Sequence, residues 1–299
     1  MKKFLKYFSI VFVGVLIICL AIGVKVYKDI EKAAEAIYTP ISEGGEEPPV
    51  MEKIQKKESV SILILGVDER ENDRGRSDTM IVMTINPSDN TSKMVSIPRD
   101  TYTDIIGYGM KDKINHAYAY GGIKMSKETV EALLDIDIDY VSKINMEGFK
   151  QLIDIVGPIS VDNKLKFSYG GSNFPIGKLS LNGKQAMDYV QMRKSDPDGD
   201  FGRQNRQKQV IHGMIQEALS FNAVLNYNDI LKVMTEHVQA NLTLDDMIKL
   251  QKEYKNSLGE IEQLSLAKGS PKYINGIYYF VLDDHQLASV QKTLQNHLK

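Results

Sequence analysis

Three apolar stretches in the first half of the chain are too short for helices and rich in β-branched residues. Val60–Asp68 reads VSILILGVD, Thr79–Pro87 reads TMIVMTINP, and Lys93–Asp100 reads KMVSIPRD. The first is almost continuously apolar, which is typical of a strand buried on both faces of a sheet. The pattern therefore predicts three neighbouring strands, with Asn86-Pro87 and Pro98 marking the ends of the second and third.

Helical spacing of apolar residues takes over after the third strand. The predicted helices are Ile123–Leu134, Met146–Val156, a segment capped by Asn182, Gly202–Phe221, a segment that Thr243 and Asp246 open as a capping box, and a last helix at the end of the chain. YVSKIN and the late GIYYFVLD (Gly276–Asp283) lie between them as further strands. Alternating strands and helices predict a layered α/β domain around a central sheet. We find no internal repeat, Walker loop or dinucleotide fingerprint.

The N-terminus carries a different pattern. No residue from Tyr7 to Val24 is charged, and three lysines precede this segment. As a helix it spans about 27 Å at ~1.5 Å per residue, close to the hydrocarbon thickness of a bilayer. Positive charge on that side predicts a cytoplasmic N-terminus and an external domain. Two alternatives stay open: a signal peptide cleaved near Ala21–Gly23, and lipoprotein processing at Cys19, which two bulky preceding isoleucines disfavour.

These patterns predict the organisation of the whole chain. Residues 1–6 form a cytoplasmic tail, 7–26 a transmembrane signal-anchor helix, 27–59 an extracytoplasmic stalk, and 60–299 an extracytoplasmic domain. The stalk contains SEGGEEPPV, which has the composition of a linker. Cys19 is the single cysteine, so an intrachain disulfide is impossible and the external domain must depend on its core.

Charge limits the classes of ligand. The net charge of −2 gives no overall attraction to nucleic acid. Together with the export segment, this disfavours a DNA-binding regulator. Any anion site must therefore be a local cluster of cations.

The stretch MRKSDPDGDFGRQNRQKQ (Met192–Gln209) is such a cluster. If a helix begins near Gly202, then Arg203, Arg206 and Gln207 lie on one face of its first turns. The free N–H groups and the dipole already attract anions there. Arginines raise the positive potential further, which favours a bound anion over a merely solvated surface. We assign Lys208, like Lys194, to the solvated side.

Charged residues also gather at the predicted strand ends. Asp68 ends the first strand, and Arg76 and Asp78 open the second, so two carboxylates can meet at one sheet edge. Such oxygen ligands suit Mg²⁺, although both aspartates can instead cap turns or pair with nearby arginines. Arg99 and Asp100 follow the third strand. A guanidinium matches phosphate oxygens, and an ordinary salt bridge is the alternative.

Other catalytic groups find less support. His116 is the most suggestive histidine, but no second histidine lies at metal-ligand spacing, and a structural role is favoured. The local sequence establishes no Ser-His-Asp grouping and no cysteine nucleophile.

Six motifs follow one another in a fixed order between Val60 and about Asn222. They are ILGVDER, GRSDTMIVMTINP, VSIPRDTYTDI, KINHAYAYGG, INMEGF and MRKSDPDGDFGRQNRQKQV. Together they resemble the LytR-CpsA-Psr family. The resemblance implies a three-layer α/β/α sandwich with a central mixed sheet, preceded by one transmembrane helix, on the outer face of a Gram-positive cell membrane.

The resemblance also implies a phosphotransferase. An anionic glycopolymer, such as wall teichoic acid, leaves its polyprenyl-pyrophosphate carrier and is joined as a phosphodiester to a peptidoglycan sugar hydroxyl. By position, Asp68 and Asp78 match the aspartates associated with Mg²⁺, for which Mn²⁺ is an alternative. The residues that match the pyrophosphate-contacting set are Arg76, Arg99, Arg193, Arg203 and Gln207. Apolar side chains between sheet and helices would hold the polyprenyl tail.

The residue patterns and the resemblance lead to one assignment of roles. Arg99 stabilises charge, and Asp200 takes the proton from the attacking hydroxyl, with Asp100 as the alternative base. The predicted substrate-binding residues are Arg76, Arg193, Arg203, Arg206 and Gln207.

Two positions depart from the family pattern. Gln191 stands where a second arginine is common, and Asp198 stands where arginine is frequent. These departures leave the donor specificity open.

Two rival functions stay open. They are a polyprenyl-pyrophosphate hydrolase and a non-catalytic anchored module that binds anionic wall polymers.

Overall fold

The computed structural model describes residues 23–41, 50–69, 75–193, 195–218, 225–259 and 261–299. Its strands are β1 Val60–Val67, β2 Ser77–Asn86, β3 Thr91–Ser96, β4 Tyr102–Ile105, β5 Met110–Lys113, β6 Tyr140–Asn145, β7 Ile159–Asn163, β8 Phe167–Tyr169, β9 Ser172–Phe174, β10 Gly177–Leu181, β11 Val238–Ala240, β12 Ile261–Leu264, β13 Gly269–Ile274 and β14 Ile277–Leu282. Its helices are α1 (residues 23–37), α2 Val50–Gln55, α3 His116–Leu134, α4 Met146–Val156, α5 Gly183–Gln191, α6 Asp200–Ala218, α7 Tyr227–His237, α8 Leu244–Tyr254 and α9 Asp284–His297.

A six-stranded mixed sheet lies at the centre, in the order β11-β6-β1-β2-β3-β12. The β1–β6 and β3–β12 pairs are parallel and the remaining pairs are antiparallel. The three apolar stretches that open the domain are β1, β2 and β3, and YVSKIN is β6, so the predicted central mixed sheet is confirmed. The late strand β14 pairs with β13 in a separate two-stranded ribbon.

Both faces of the sheet are apolar and covered. On one face Leu63 and Leu65 of β1 belong to a core cluster shared with helices α3 and α9. On the other face Ile62 and Ile64 pack against a cluster that also involves α2, α6 and α8. Because side chains alternate along a strand, one continuous apolar run supplies both clusters. The result is a layer of helices on each side of the sheet.

A third core supports one wall of the site. It joins α4, α5 and α6 to the ribbon formed by β7 and β10, with Ile153, Tyr189 and Val210 at its centre. Burial raises the pKa of Tyr189 to about 12, so its phenol stays neutral. This core fixes α6 against α5, and both helices contribute side chains to the site described below.

Helix boundaries follow local sequence signals. Asn182 caps α5 by accepting a hydrogen bond from the Gln185 backbone N–H at 2.9 Å, and Thr243 opens α8 with a capping box. Helix α3 is interrupted by a kink at Gly121 and Gly122, whose backbone angles are not helical. A short helical piece from His116 precedes the kink, and the piece after it is the predicted helix Ile123–Leu134. Gly122 has a φ of 66°, a conformation that glycine adopts without strain.

The described part of the predicted stalk packs onto the domain instead of standing free. Ala33, Ala34 and Ile37 of α1 are buried, and the Thr39 N–H donates to the Ala240 carbonyl at 2.8 Å. Further along, Ile54 of α2 is also buried. The folded unit therefore begins before Val60, since these apolar side chains complete its core.

No helix within the described ranges is long and apolar enough to cross a membrane. Most of the predicted transmembrane span, 7–26, lies outside the described residues, so the anchor stays a prediction.

Candidate active site

Two aspartates meet at one end of the sheet because the β1–β2 pairing is irregular there. Gly66 lies opposite Thr79, but Val67 lies opposite Ser77, which leaves Asp78 as the extra residue of a β-bulge. A bulge re-aims the side chain of its extra residue. Asp68 follows directly after β1, and its backbone N–H donates to the Arg76 carbonyl at 3.2 Å. Both carboxylates consequently line the same cavity.

A turn after β3 brings a guanidinium to this pair of carboxylates. Arg99 donates from Nη1 to Oδ2 of Asp78 at 2.8 Å, and Asn115 donates to Oδ1 of the same carboxylate at 3.2 Å. The Asn115 backbone N–H also donates to the Arg99 carbonyl at 3.3 Å. Asn115 therefore fixes both partners of the ion pair, a role that its sequence neighbourhood did not indicate.

Helices α5 and α6 supply the opposite wall. Arg193 follows α5, and Arg203 and Gln207 lie one helical turn apart on α6. All three line the cavity that Asp68 and Asp78 line. Arg203 is only 6% exposed, so its charge is largely withdrawn from bulk water.

The cavity has a volume of about 520 Å³ and two chemically distinct parts. Three guanidinium groups against two carboxylates leave the charged part with an excess of positive charge. The remaining wall is largely apolar, and the side chains that form it are Ile64, Ile144, Met146, Phe149, Val190, Ile211 and Met214. Such a cavity suits an amphiphile with an anionic head and a hydrocarbon tail.

A second cavity of about 880 Å³ adjoins the first. Four side chains line both: Arg99, Tyr169, Gln191 and Arg193. Asp100 lines only the second cavity, where its Oδ1 accepts from Lys113 at 2.8 Å and its Oδ2 from Arg193 at 3.3 Å. Arg99 and Arg193 thus lie at the boundary between the amphipathic cavity and the second cavity.

Arg206 does not line either cavity, although the sequence placed it with Arg203 and Gln207. Its Nε donates to the Tyr189 carbonyl at 2.8 Å, and its remaining nitrogens contact Asp196 and the Met192 carbonyl. At about 100° per residue, positions 203 and 207 differ by only about 40° around the helix, whereas 206 and 207 differ by about 100°. Arg206 therefore anchors the turn before α6 to α5 and is a structural residue in this fold.

The other predicted site residues are distributed as follows. Arg76 is exposed beside the β1–β2 turn and does not line the cavity. Asp200 is the first residue of α6, but its side chain lies outside the described part of the structure, as does Lys194. Lys208 is buried, contrary to the expectation of a solvated lysine, and lines a separate cavity on the other side of α6.

His116 has the structural role that the sequence favoured. Its Nδ1 lies 2.8 Å from Oδ2 of Asp112, to which the Tyr120 hydroxyl donates at 2.6 Å. Although burial opposes it, hydrogen bonds from Tyr120 and His116 hold the pKa of Asp112 below its ordinary value. This network joins β5 to the start of α3 and lies outside both cavities.

A second, partly buried network supports the turn that carries Asp68. The next residue, Glu69, accepts hydrogen bonds from Lys143 at 2.8 and 3.0 Å and from the Tyr118 hydroxyl. Lys143 lies on β6, next to β1 in the sheet. Two elements, α3 and β6, therefore hold the chain immediately after Asp68, which fixes the position of the Asp68 carboxylate.

The family of the chain follows from comparison with known proteins. The family model LytR_cpsA_psr matches residues 24–296. The chain belongs to the LytR-CpsA-Psr family, which confirms the resemblance of its six motifs.

Individual relatives narrow the comparison further. The chain is 43% identical over 300 residues to the polyisoprenyl-teichoic acid–peptidoglycan teichoic acid transferase TagU of Bacillus cereus, with 100% of this chain and 99% of that protein covered. It is similar to the crystal structure of B. subtilis TagU, with a TM-score of 0.66, 45% identity and coverage of 81% of this chain and 98% of that one. It is also similar to TagT bound to LI-WTA, with a TM-score of 0.70, 35% identity and coverage of 81% and 91%.

Proposed function

We propose that this protein transfers an anionic glycopolymer from a polyprenyl-pyrophosphate carrier to a sugar hydroxyl of peptidoglycan. The polymer that we propose is wall teichoic acid. The observation that carries the proposal is the amphipathic cavity, whose charged end and apolar wall match the two halves of such a carrier lipid. The relatives' name, which specifies teichoic acid and peptidoglycan, supports the choice of donor and acceptor.

The charged end fits a pyrophosphate. Arg99, Arg193 and Arg203 reach the cavity from three different elements, so their guanidinium groups can contact several phosphate oxygens. Gln207 adds a neutral donor on the same helix face as Arg203. As the bond to the carrier breaks, negative charge develops on the departing polyprenyl phosphate, and positioned cations stabilise it.

The apolar wall fits a prenyl chain. Its side chains come from β1, β6, α4, α5 and α6, between the sheet and the helices that cover it. Burying hydrocarbon contributes roughly 25 cal/mol per Å², so this wall can retain the carrier while the head group reacts.

A divalent cation fits the two carboxylates at the charged end. Among the described residues, no three His, Cys, Asp or Glu side chains are grouped to hold a metal ion. Asp68 and Asp78 would therefore hold Mg²⁺, or Mn²⁺, in company with water and phosphate oxygens, which is the coordination that Mg²⁺ favours. When bound, the ion would neutralise part of the pyrophosphate charge.

The transfer step needs a base for the attacking hydroxyl. The hydroxyl oxygen bonds to the phosphorus attached to the glycopolymer, the bond from that phosphorus to polyprenyl phosphate breaks, and the proton passes to a carboxylate. The sequence favours Asp200, at the start of α6, with Asp100 as the alternative base. Asp100 lines the neighbouring cavity, which supports that alternative. Cleavage of the pyrophosphate drives the reaction, so ATP is not required.

The location of the protein is part of the proposal. The predicted signal-anchor helix at 7–26, which is uncharged from Tyr7 to Val24, would anchor the chain in the cell membrane by a single span. The N-terminus would be cytoplasmic and the catalytic domain would lie outside, where peptidoglycan is found. Nucleic acid is not expected as a partner, given the net charge of −2.

Product analysis separates the rival functions. Full-length protein in detergent is incubated with a lipid-linked glycopolymer analogue, Mg²⁺ and glycan strands, and the polymer is traced. Polymer bound covalently to the glycan supports transfer. Polymer released with a terminal phosphate supports the hydrolase, and unchanged donor supports the binding module.

A further inference from the structure

We propose that the second cavity is the acceptor site, in which a sugar ring of the peptidoglycan glycan binds with one hydroxyl directed toward Arg99 and Arg193. This inference rests on the proposed function. It assigns a place and a set of contacts to the acceptor, which must approach the pyrophosphate without displacing the carrier lipid.

The second cavity is continuous with the first. Arg99 and Arg193 line both, so a group bound in one lies against the same guanidinium groups as a group bound in the other. With about 880 Å³, the second cavity lies within the usual size range of small-molecule sites and has room for a sugar residue. An acceptor here would meet the reacting phosphate from the side away from the apolar wall.

The lining of the second cavity offers many hydrogen-bonding groups. Three carboxylate side chains line it, Asp100, Asp196 and Asp198, together with Arg99 and Arg193. Asp100 is paired with Lys113 and Arg193, and Asp196 with Arg206, so these carboxylates do not give the cavity a strong negative field. Carboxylate oxygens accept from sugar hydroxyls and guanidinium groups donate to them, which suits a hydroxyl-rich acceptor.

Aromatic rings form part of the wall of the second cavity. Tyr278 and Phe201 line the second cavity but not the first. They come from β14 and α6, elements that meet where the Phe201 ring contacts Phe280 edge-on, with the ring centroids 5.4 Å apart. Rings with a large apolar face suit the C–H face of a sugar, while the carboxylates suit its hydroxyl edge.

Asp100 is held in a fixed position in the wall of the second cavity. Its carboxylate is 10% exposed, and its backbone carbonyl accepts from the Phe280 N–H at 2.8 Å. The bond from Lys113 at 2.8 Å holds one carboxylate oxygen, and the other faces Arg193. A hydroxyl bound in this cavity would lie beside Asp100, to which its proton can pass as the oxygen bonds to phosphorus.

The test is a pair of variants in the second cavity, Tyr278→Leu and Phe201→Leu, assayed with full-length protein, a lipid-linked analogue and an uncrosslinked glycan oligosaccharide. Each should raise the KM for the glycan about fivefold, since one aromatic contact is worth about 1 kcal/mol. The KM for the donor should stay unchanged. Tyr108→Leu, at an aromatic residue that is 47% exposed outside both cavities, is the matched control.

The outcomes separate this inference from the proposed function. If the parent protein forms no glycan-bound product, the proposed function fails. If the parent transfers polymer but both variants keep its glycan KM while melting at its temperature, the acceptor site lies elsewhere. A rise in the donor KM alone would place the donor's own sugar in this cavity and overturn the inference. If one variant melts early, the other decides.

Discussion

Removal of the Arg203 guanidinium should slow transfer severely. Arg203 is 6% exposed and lines the cavity that would hold the pyrophosphate. Hydrogen bonds to charged groups contribute about 1.5–3 kcal/mol. At about 1.4 kcal/mol per tenfold, Arg203→Ala should therefore reduce the transfer rate by about 10- to 200-fold. Arg203→Lys should restore only part of the rate, because an ammonium cannot reproduce the planar fork.

Lys208→Met is the matched control on the same helix. Lys208 is also buried, but it lines the separate cavity with Ser160 and His212. Its replacement removes one positive charge close to Arg203 without touching the site, so the rate should stay within a few-fold of the parent. Burial lowers the pKa of Lys208, which means that its charged form is disfavoured in the fold. Lys208→Met should thus also raise the melting temperature.

The assay measures initial transfer rates of the four proteins, with thermal melts as the control for folding. A steep difference between Arg203→Ala and Lys208→Met supports a specific contact with the pyrophosphate. Equal rates in two folded variants would show that the charge of α6 acts only as a diffuse field, and the reasoning about Arg203 would be wrong.

Three further predictions concern the fold and its placement. Burial lowers the pKa of His297 below its ordinary value of 6.5, so the unfolded chain binds the proton more readily. The contribution of neutral His297 to the free energy of unfolding should be fully present above pH 6.5 and should decrease as the pH falls below that value. Melting curves of the parent and of His297→Gln across this pH range measure the difference. Asp196→Ala removes the partner of Arg206 in a buried ion pair and should lower the free energy of unfolding by about 3–5 kcal/mol. Arg206→Met should be less harmful in the Asp196→Ala background than alone, and denaturant titrations of the double-mutant cycle measure this coupling. Protease added to intact protoplasts should remove the external domain; survival there combined with digestion after lysis would contradict the topology.

Much of the sheet and part of the site were predictable because their signals are local. The run VSILILGVD has to form a strand buried on both faces, and Asp68 has to follow it. Asp78 reaches the same cavity because it opens the neighbouring strand, although the bulge that aims it could not be read from the sequence. Likewise, Arg203 and Gln207 are spaced four residues apart, and helix geometry keeps them on one face.

The errors arose where tertiary packing decides. Arg206 is only three residues from Arg203, but the carbonyls of Tyr189 and Met192 turn it toward α5. Lys208 looked solvated in a charged stretch, yet the strands β3, β7 and β12 close around it. The sequence around residues 206 and 208 contains no pattern that indicates these contacts.

The second cavity had no local signal at all. Its walls come from the turn after β3, the β8–β9 ribbon, the turn before α6 and strand β14. Tyr278 and Asp100 meet there through the pairing of distant segments, which the Phe280 N–H bond to Asp100 fixes. Only the folded chain brings an acidic, aromatic chamber next to the arginines.

The central claim is that a sugar hydroxyl, and not water, attacks the phosphorus of the carrier-linked polymer. The most direct test is to incubate full-length protein, the lipid-linked analogue and glycan in water labelled with a heavy oxygen isotope. The polymer products are then analysed by mass spectrometry. We expect a glycan-bound phosphodiester that carries no heavy oxygen. Polymer phosphate labelled with heavy oxygen, and no glycan-bound product at saturating glycan, would contradict it.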